Sequence, residues 1–133
     1  MINKEKIKNK LIKLLETEVI FAYVFGSVTS GRLHPQSDVD IGVYLKKPPG
    51  SLDDKLIFNR NVSAAFNRDV DVIFLNDADI IITMQILTNG ELLINNNPEN
   101  LILFKASKAG EYSDFKISRQ IIEQNMLSGR IYA

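Results

Sequence analysis

Residues 24–45 read VFGSVTSGRLHPQSDVDIGVYL, and the rest of the chain is arranged around them. An apolar run, Ile20 to Phe25, stops abruptly at Gly26-Ser27. After ten intervening residues, Asp38-Val39-Asp40 opens a second apolar run, Ile41 to Leu45. Both runs have the length and character of strands. Successive side chains of a strand alternate faces, so Asp38 and Asp40 project to the same side at the strand's start. Two carboxylates held side by side repel, and a strand that presents them without a cation is weakened. The economical explanation is a divalent metal, with Gly26-Ser27 placed to hold phosphates that the metal also touches.

The intervening SVTSGRLHPQS is punctuated by Gly31 and Pro35. It has room for one short helical turn and a return loop, bringing the end of the first strand near the start of the second. Gly26 has no side chain to obstruct a closely approaching ligand. Ser27 offers a hydroxyl and a backbone N–H, both suited to phosphate oxygens. A third strand is expected over residues 68–75, RDVDVIFL, after a helix over Leu52 to Phe66. A helix of that length serves as a crossover, so the second and third strands are expected to run parallel. Parallel strands align their starts, which sets Asp71 beside Asp38 and Asp40. Asp69 shares Asp71's face but falls earlier, in the turn, and reads as a loop carboxylate.

Gly-Ser, ten residues and then Asp-x-Asp resembles the signature of the nucleotidyltransferase superfamily that includes DNA polymerase beta. The short chain is similar to its minimal nucleotidyltransferases (MNT proteins), many of which are antitoxins paired with HEPN-domain toxins. The resemblance implies an α/β (α+β) polymerase-beta-like fold, with a small mixed sheet of three to four strands flanked by helices. It implies catalytic and metal-binding roles for Asp38, Asp40 and Asp71: Asp38 and Asp40 bridge two Mg2+ ions, and Asp71 binds the ion nearest the acceptor hydroxyl. Gly26 and Ser27 are then expected to hold the β- and γ-phosphates of ATP, the co-substrate. Many relatives follow Gly-Ser with a segment ending in Arg-Gly, whereas here the corresponding residues are Ser30-Gly31 with Arg32 just beyond. Arg32 is the candidate for the missing positive charge. His34, two residues further on, reads as a surface histidine, and Lys46, Lys47 and Arg68 as solvated charges.

The activity implied by the resemblance is transfer of AMP from ATP to a tyrosine hydroxyl of a cognate HEPN toxin, neutralising it. Two other readings stay open. One is an antitoxin that acts by stoichiometric binding alone; the other is a nucleotidyltransferase for a small molecule such as an antibiotic.

Composition narrows the field. The 133 residues are expected to form one domain, 1–133, with one core. Sixteen basic and sixteen acidic residues cancel, which disfavours nucleic acid as a partner. With no cysteine and one histidine, thiolate zinc sites, thiol catalysis and multi-histidine metal sites are excluded. No apolar run reaches the roughly 20 residues of a membrane span, and the chain reads as cytoplasmic.

Elsewhere, residues 3–17 show helical spacing at Ile7, Leu11 and Leu14, with lysines opposite. Val19 to Phe25 is apolar enough to be buried on both faces. Lys46-Lys47-Pro48-Pro49-Gly50 is a loop, and Ser51 an N-cap with Asp53 and Asp54 in the first turn. The helix it opens is expected to gather Leu52, Leu56, Phe58, Val62, Ala65 and Phe66 on one broad face. Asn76 or Asp77 is expected to cap a helix over Ala78 to Leu87, stopped by Asn89-Gly90, with a short strand over Glu91 to Ile94 and a loop over Asn95 to Pro98. Residues 99–130 form a C-terminal helical segment, expected to break near Gly110. There Tyr112, Phe115, Ile122 and Met126 share one face, expected to dock on the domain. Ile117 and Ile121 lie nearly opposite, as a candidate surface for a homo- or hetero-oligomer.

Overall fold

The structure, a computed structural model, describes residues 5, 6, 9, 12, 13, 19–25, 39–67 and 69–127. The five described positions before residue 19 are helical and exposed, with Lys6 and Lys13 on the solvent side as their spacing predicts. The elements then run β1 (Val19–Phe25), β2 (Val39–Leu45), α1 (Leu52–Phe66), β3 (Val70–Phe74), α2 (Ile80–Asn89), β4 (Glu91–Asn95) and α3 (Pro98–Leu127). One mixed four-stranded sheet has the order β3-β2-β1-β4. β1 pairs antiparallel with both β2 and β4, while β2 and β3 run parallel, joined through α1.

Each face of the sheet carries its own core, which is why β1 and β2 read as nearly continuous apolar runs. On one face, Val39, Ile41, Val43 and Val70 pack with Val62 and Phe66 of α1. On the other, Phe21, Tyr23 and Leu75 pack with Ile86 of α2 and with Leu101 and Phe104 of α3. The rings of Phe21 and Tyr44 stack at 4.8 Å, and Phe104 closes on both. Asp40, Gly42 and Tyr44 alternate with the valines of β2 and so belong to this second face.

α1 begins at Ser51, whose Oγ accepts from Asp54 N at 3.2 Å, with Asp53 and Asp54 in its first turn. Its buried stripe is narrower than its apolar content suggests. Phe58, Val62 and Phe66 face inward, but Leu52 and Leu56 are 72% and 54% exposed, and Ala65 is exposed too. The cause lies in the sheet's edge. β3 is an outer strand with outward N–H groups, and polar side chains of α1 cover them. Asn59 Oδ1 accepts from Val72 N at 2.9 Å, and Ser63 Oγ accepts from Val70 N at 3.0 Å.

α2 starts two residues later than its sequence suggests. Asp79 is the N-cap, accepting from Ile82 N at 2.9 Å. The two expected caps are committed elsewhere. Asn76 brackets the backbone of Leu45, donating to its carbonyl and accepting from its N–H, and Asp77 pairs with Lys55 at 2.6 Å. Gly90 ends the helix where β1 passes closely: a Cβ there would meet Ile86 O at 2.5 Å and Val24 O at 3.2 Å.

The expected loop over Asn95 to Pro98 is shorter than anticipated, since β4 includes Asn95 and α3 begins at Pro98 with Asn97 Oδ1 accepting from Asn100 N. No break occurs at Gly110; α3 is one helix of 30 residues. A lone glycine costs only about 1 kcal/mol relative to alanine. Its neighbours are good helix formers, and Lys108 pairs with Glu111 at 3.1 Å across it. Only Leu101 and Phe104 of this helix are buried. Of the face expected to dock on the domain, Tyr112 is half-buried near Ile81 of α2, whereas Phe115, Ile122 and Met126 are 39%, 50% and 63% exposed. Ile117 and Ile121 are exposed as well.

Candidate nucleotide and metal site

Asp40 is the second residue of β2, and Asp71 the second residue of β3. They are direct register partners in the parallel ladder, Asp40↔Asp71. Register partners on adjacent strands project to the same face, with backbones about 4.8 Å apart. The two carboxylates thus leave the sheet side by side at the starts of their strands. Val39 N donates to Asp69 O at 3.2 Å, extending the ladder one step upstream and locking this register. Asp69, one residue before β3 and exposed, occupies the turn position expected of it.

On the other side of Asp40, the antiparallel register pairs it with Phe25, the last residue of β1. Phe25 therefore flanks Asp40 as Asp71 does, half-buried against the aromatic face of the sheet. Sequence reasoning overlooked it, although its place just before Gly26-Ser27 was a usable signal. Asp40 is partly buried and Asp71 exposed, so the pair spans the boundary between core and solvent.

Asp38, Gly26, Ser27, Arg32 and His34 lie outside the described residues, as does Arg68. Lys46 and Lys47 are exposed in the loop after β2, at its far end from Asp40. Among the described residues no three acidic or histidine side chains cluster as a metal site. The donor set that is present, two carboxylates from neighbouring strands, suits a hard divalent cation that takes one or two carboxylates and fills its remaining positions with phosphate and water. Among the described residues no helix is long and apolar enough to cross a membrane.

The comparisons with known proteins point one way. The family model for polymerase beta nucleotidyltransferases matches residues 5–99. A chain from the crystal structure of a toxin–antitoxin with AMP-PNP is 27% identical, with TM-score 0.78, covering 90% of this chain and 98% of that one. A chain from the tri-AMPylated Shewanella oneidensis HEPN toxin in complex with MNT antitoxin is 24% identical, with TM-score 0.74, covering 93% and 98%. A structure assigned as a minimal nucleotidyltransferase is 20% identical, with TM-score 0.53, covering 67% and 94%. Among curated proteins no sequence match was found.

Proposed function

We propose a function from one premise: this chain belongs to the polymerase beta nucleotidyltransferase family, and within it the chain transfers AMP from ATP to a tyrosine hydroxyl of a cognate HEPN-type toxin, neutralising that toxin. The observation that carries the proposal is the register pairing of Asp40 with Asp71 at the starts of two parallel strands. The 27% identity to a toxin–antitoxin chain crystallised with AMP-PNP supports the nucleotide and the partner class.

In the reaction the tyrosine oxygen forms a bond to the α-phosphorus of ATP, the bond from that phosphorus to the bridging oxygen breaks, pyrophosphate leaves, and the hydroxyl proton is lost. Mg2+ ions, when bound, neutralise charge on the phosphates and on the attacking and leaving oxygens. Asp38, Asp40 and, from the neighbouring strand, Asp71 would hold the metal. Gly26 and Ser27 receive the β- and γ-phosphates, with Arg32 supplying positive charge in place of the Arg-Gly found in many relatives.

The Ser30-Gly31 departure favours one competing reading, neutralisation by binding alone. A single assay separates the two. Native protein, Mg2+, α-labelled ATP and a candidate HEPN toxin are incubated together. Label on the toxin that disappears in Asp40→Ala supports transfer. An unlabelled toxin that is nonetheless silenced supports binding alone.

A further inference from the structure

We propose that the exposed ledge on the C-terminal half of α3, formed by Phe115, Ile122 and Met126 together with Ile81 of α2, is the surface on which the toxin docks; this rests on the toxin reading.

A 30-residue helix is about 45 Å long, and its buried residues, Leu101 and Phe104, lie in its first two turns. The stripe that begins there continues at helical spacing through Phe115, Ile122 and Met126 without a cover, each at least 39% exposed. Isolated helices gain most of their stability from packing an apolar face, so a stripe that continues past the body is patterned for another surface. Where α3 crosses the start of α2, an open groove of about 270 Å³ forms, lined by Ile81, Tyr112, Phe115 and Arg119 among others. Its lining mixes these apolar side chains with Lys116, Gln120 and Glu123, the mixed character of a protein–protein contact.

What covers the ledge follows from which proteins share the helix. The family model stops at residue 99, so nearly all of α3 lies beyond it, although the helix's first turns still pack into the core through Leu101 and Phe104. The minimal nucleotidyltransferase leaves a third of this chain unmatched although nearly all of that protein is used. The chain from the AMPylated toxin–antitoxin complex instead matches 93% of this one, which cannot be reached without most of α3. The part of the helix beyond Phe104 is thus an extension of the packed body, shared with a chain from a toxin complex. Ile117 and Ile121 lie on the opposite side, beside Ser113 and Gln124, and make a narrower apolar strip.

The test co-expresses the chain with its candidate HEPN toxin and follows co-elution, label transfer from ATP and binding of AMP-PNP with Mg2+. Phe115→Glu/Met126→Glu is expected to weaken co-elution and transfer about tenfold or more, with AMP-PNP binding and a cooperative melt retained. Phe115→Ala/Met126→Ala, a gentler pair, weakens both in the same direction. Asp40→Ala abolishes transfer yet co-elutes, which separates docking from chemistry. Unlabelled toxin that still co-elutes with native protein and is released by the ledge variants refutes AMP transfer while sustaining the docking surface. The proposal is overturned if the ledge variants co-elute like native protein, if only Ile117→Asp/Ile121→Asp releases the toxin, if native protein fails to bind it, or if the ledge proves to hold a second copy of this chain.

Discussion

Asp40 and Asp71 face each other across the only parallel strand pair among the described residues, each one residue inside the start of its strand. Nothing local requires this. It follows from α1 returning the chain to the edge of β2 so that β3 runs in the same direction. Two carboxylates brought together by topology, on the sheet face away from α1, form an arrangement suited to a divalent cation.

The first prediction concerns binding without turnover. Mg2+ with AMP-PNP should raise the melting temperature of the native chain by mass action, since the ligand binds only the folded state. Asp40→Ala and Asp71→Ala should each suppress most of that rise while melting cooperatively in its absence. Thermal scans with and without the ligand check this. A rise of native size in Asp71→Ala would remove that residue from the site.

The second concerns the edge of β3. Asn59 and Ser63 accept from Val72 N and Val70 N at 2.9 and 3.0 Å. Truncating Asn59 to alanine leaves a part-buried N–H without its acceptor and should cost about 1–3 kcal/mol. Because Asp71 lies between these two anchors, chemical denaturation and nucleotide affinity should both suffer. A surface control, Asn61→Ala, should alter neither.

Gly90 yields the third. A methyl group at this position meets backbone oxygens of Ile86 and Val24, which cannot rotate away as a side chain would. Gly90→Ala should therefore lose more than about 1 kcal/mol, read from the denaturant midpoint. An unchanged midpoint would mean that α2 and β1 are less closely apposed than described.

A fourth follows from the start of α2. Asp79→Ala should destabilise by about 1 kcal/mol through loss of the cap, with Asp79→Asn nearly neutral. Asn76→Ala should be destabilising for a different reason, since it frees both backbone groups of Leu45. Equal behaviour of Asp77→Ala and Asp79→Ala would contradict the observed cap.

The strands were legible because their burial is two-sided: Val19 to Phe25 and Ile41 to Leu45 have few polar residues to break the pattern. The parallel relation of β2 and β3, and with it the approach of Asp71 to Asp40, followed from the length of α1. The start of α2 was not legible, because Asn76, Asp77 and Asp79 are all competent caps and tertiary partners decide between them. Leu56 and Phe58 likewise look interchangeable in sequence, yet the edge of β3 draws in Asn59 and Ser63 in place of Leu56. In α3, Gly110 looked like a stop because its cost was weighed without the favourable neighbours on both sides. Asp38, Gly26, Ser27 and Arg32 lie outside the described residues, so their roles rest on the motif and on the proposal.

The most direct test of the central claim is a double-mutant cycle on metal binding. Mn2+ affinity in the presence of AMP-PNP is measured, by titration with paramagnetic detection, for the native chain, Asp40→Asn, Asp71→Asn and the double variant. If the two carboxylates serve one site, each single change weakens binding about tenfold or more and the double variant is little worse than the weaker single, a coupling on the order of 1 kcal/mol or above. Strictly additive effects, or native affinity in Asp71→Asn, would show that the register pairing of these residues does not build a shared metal site.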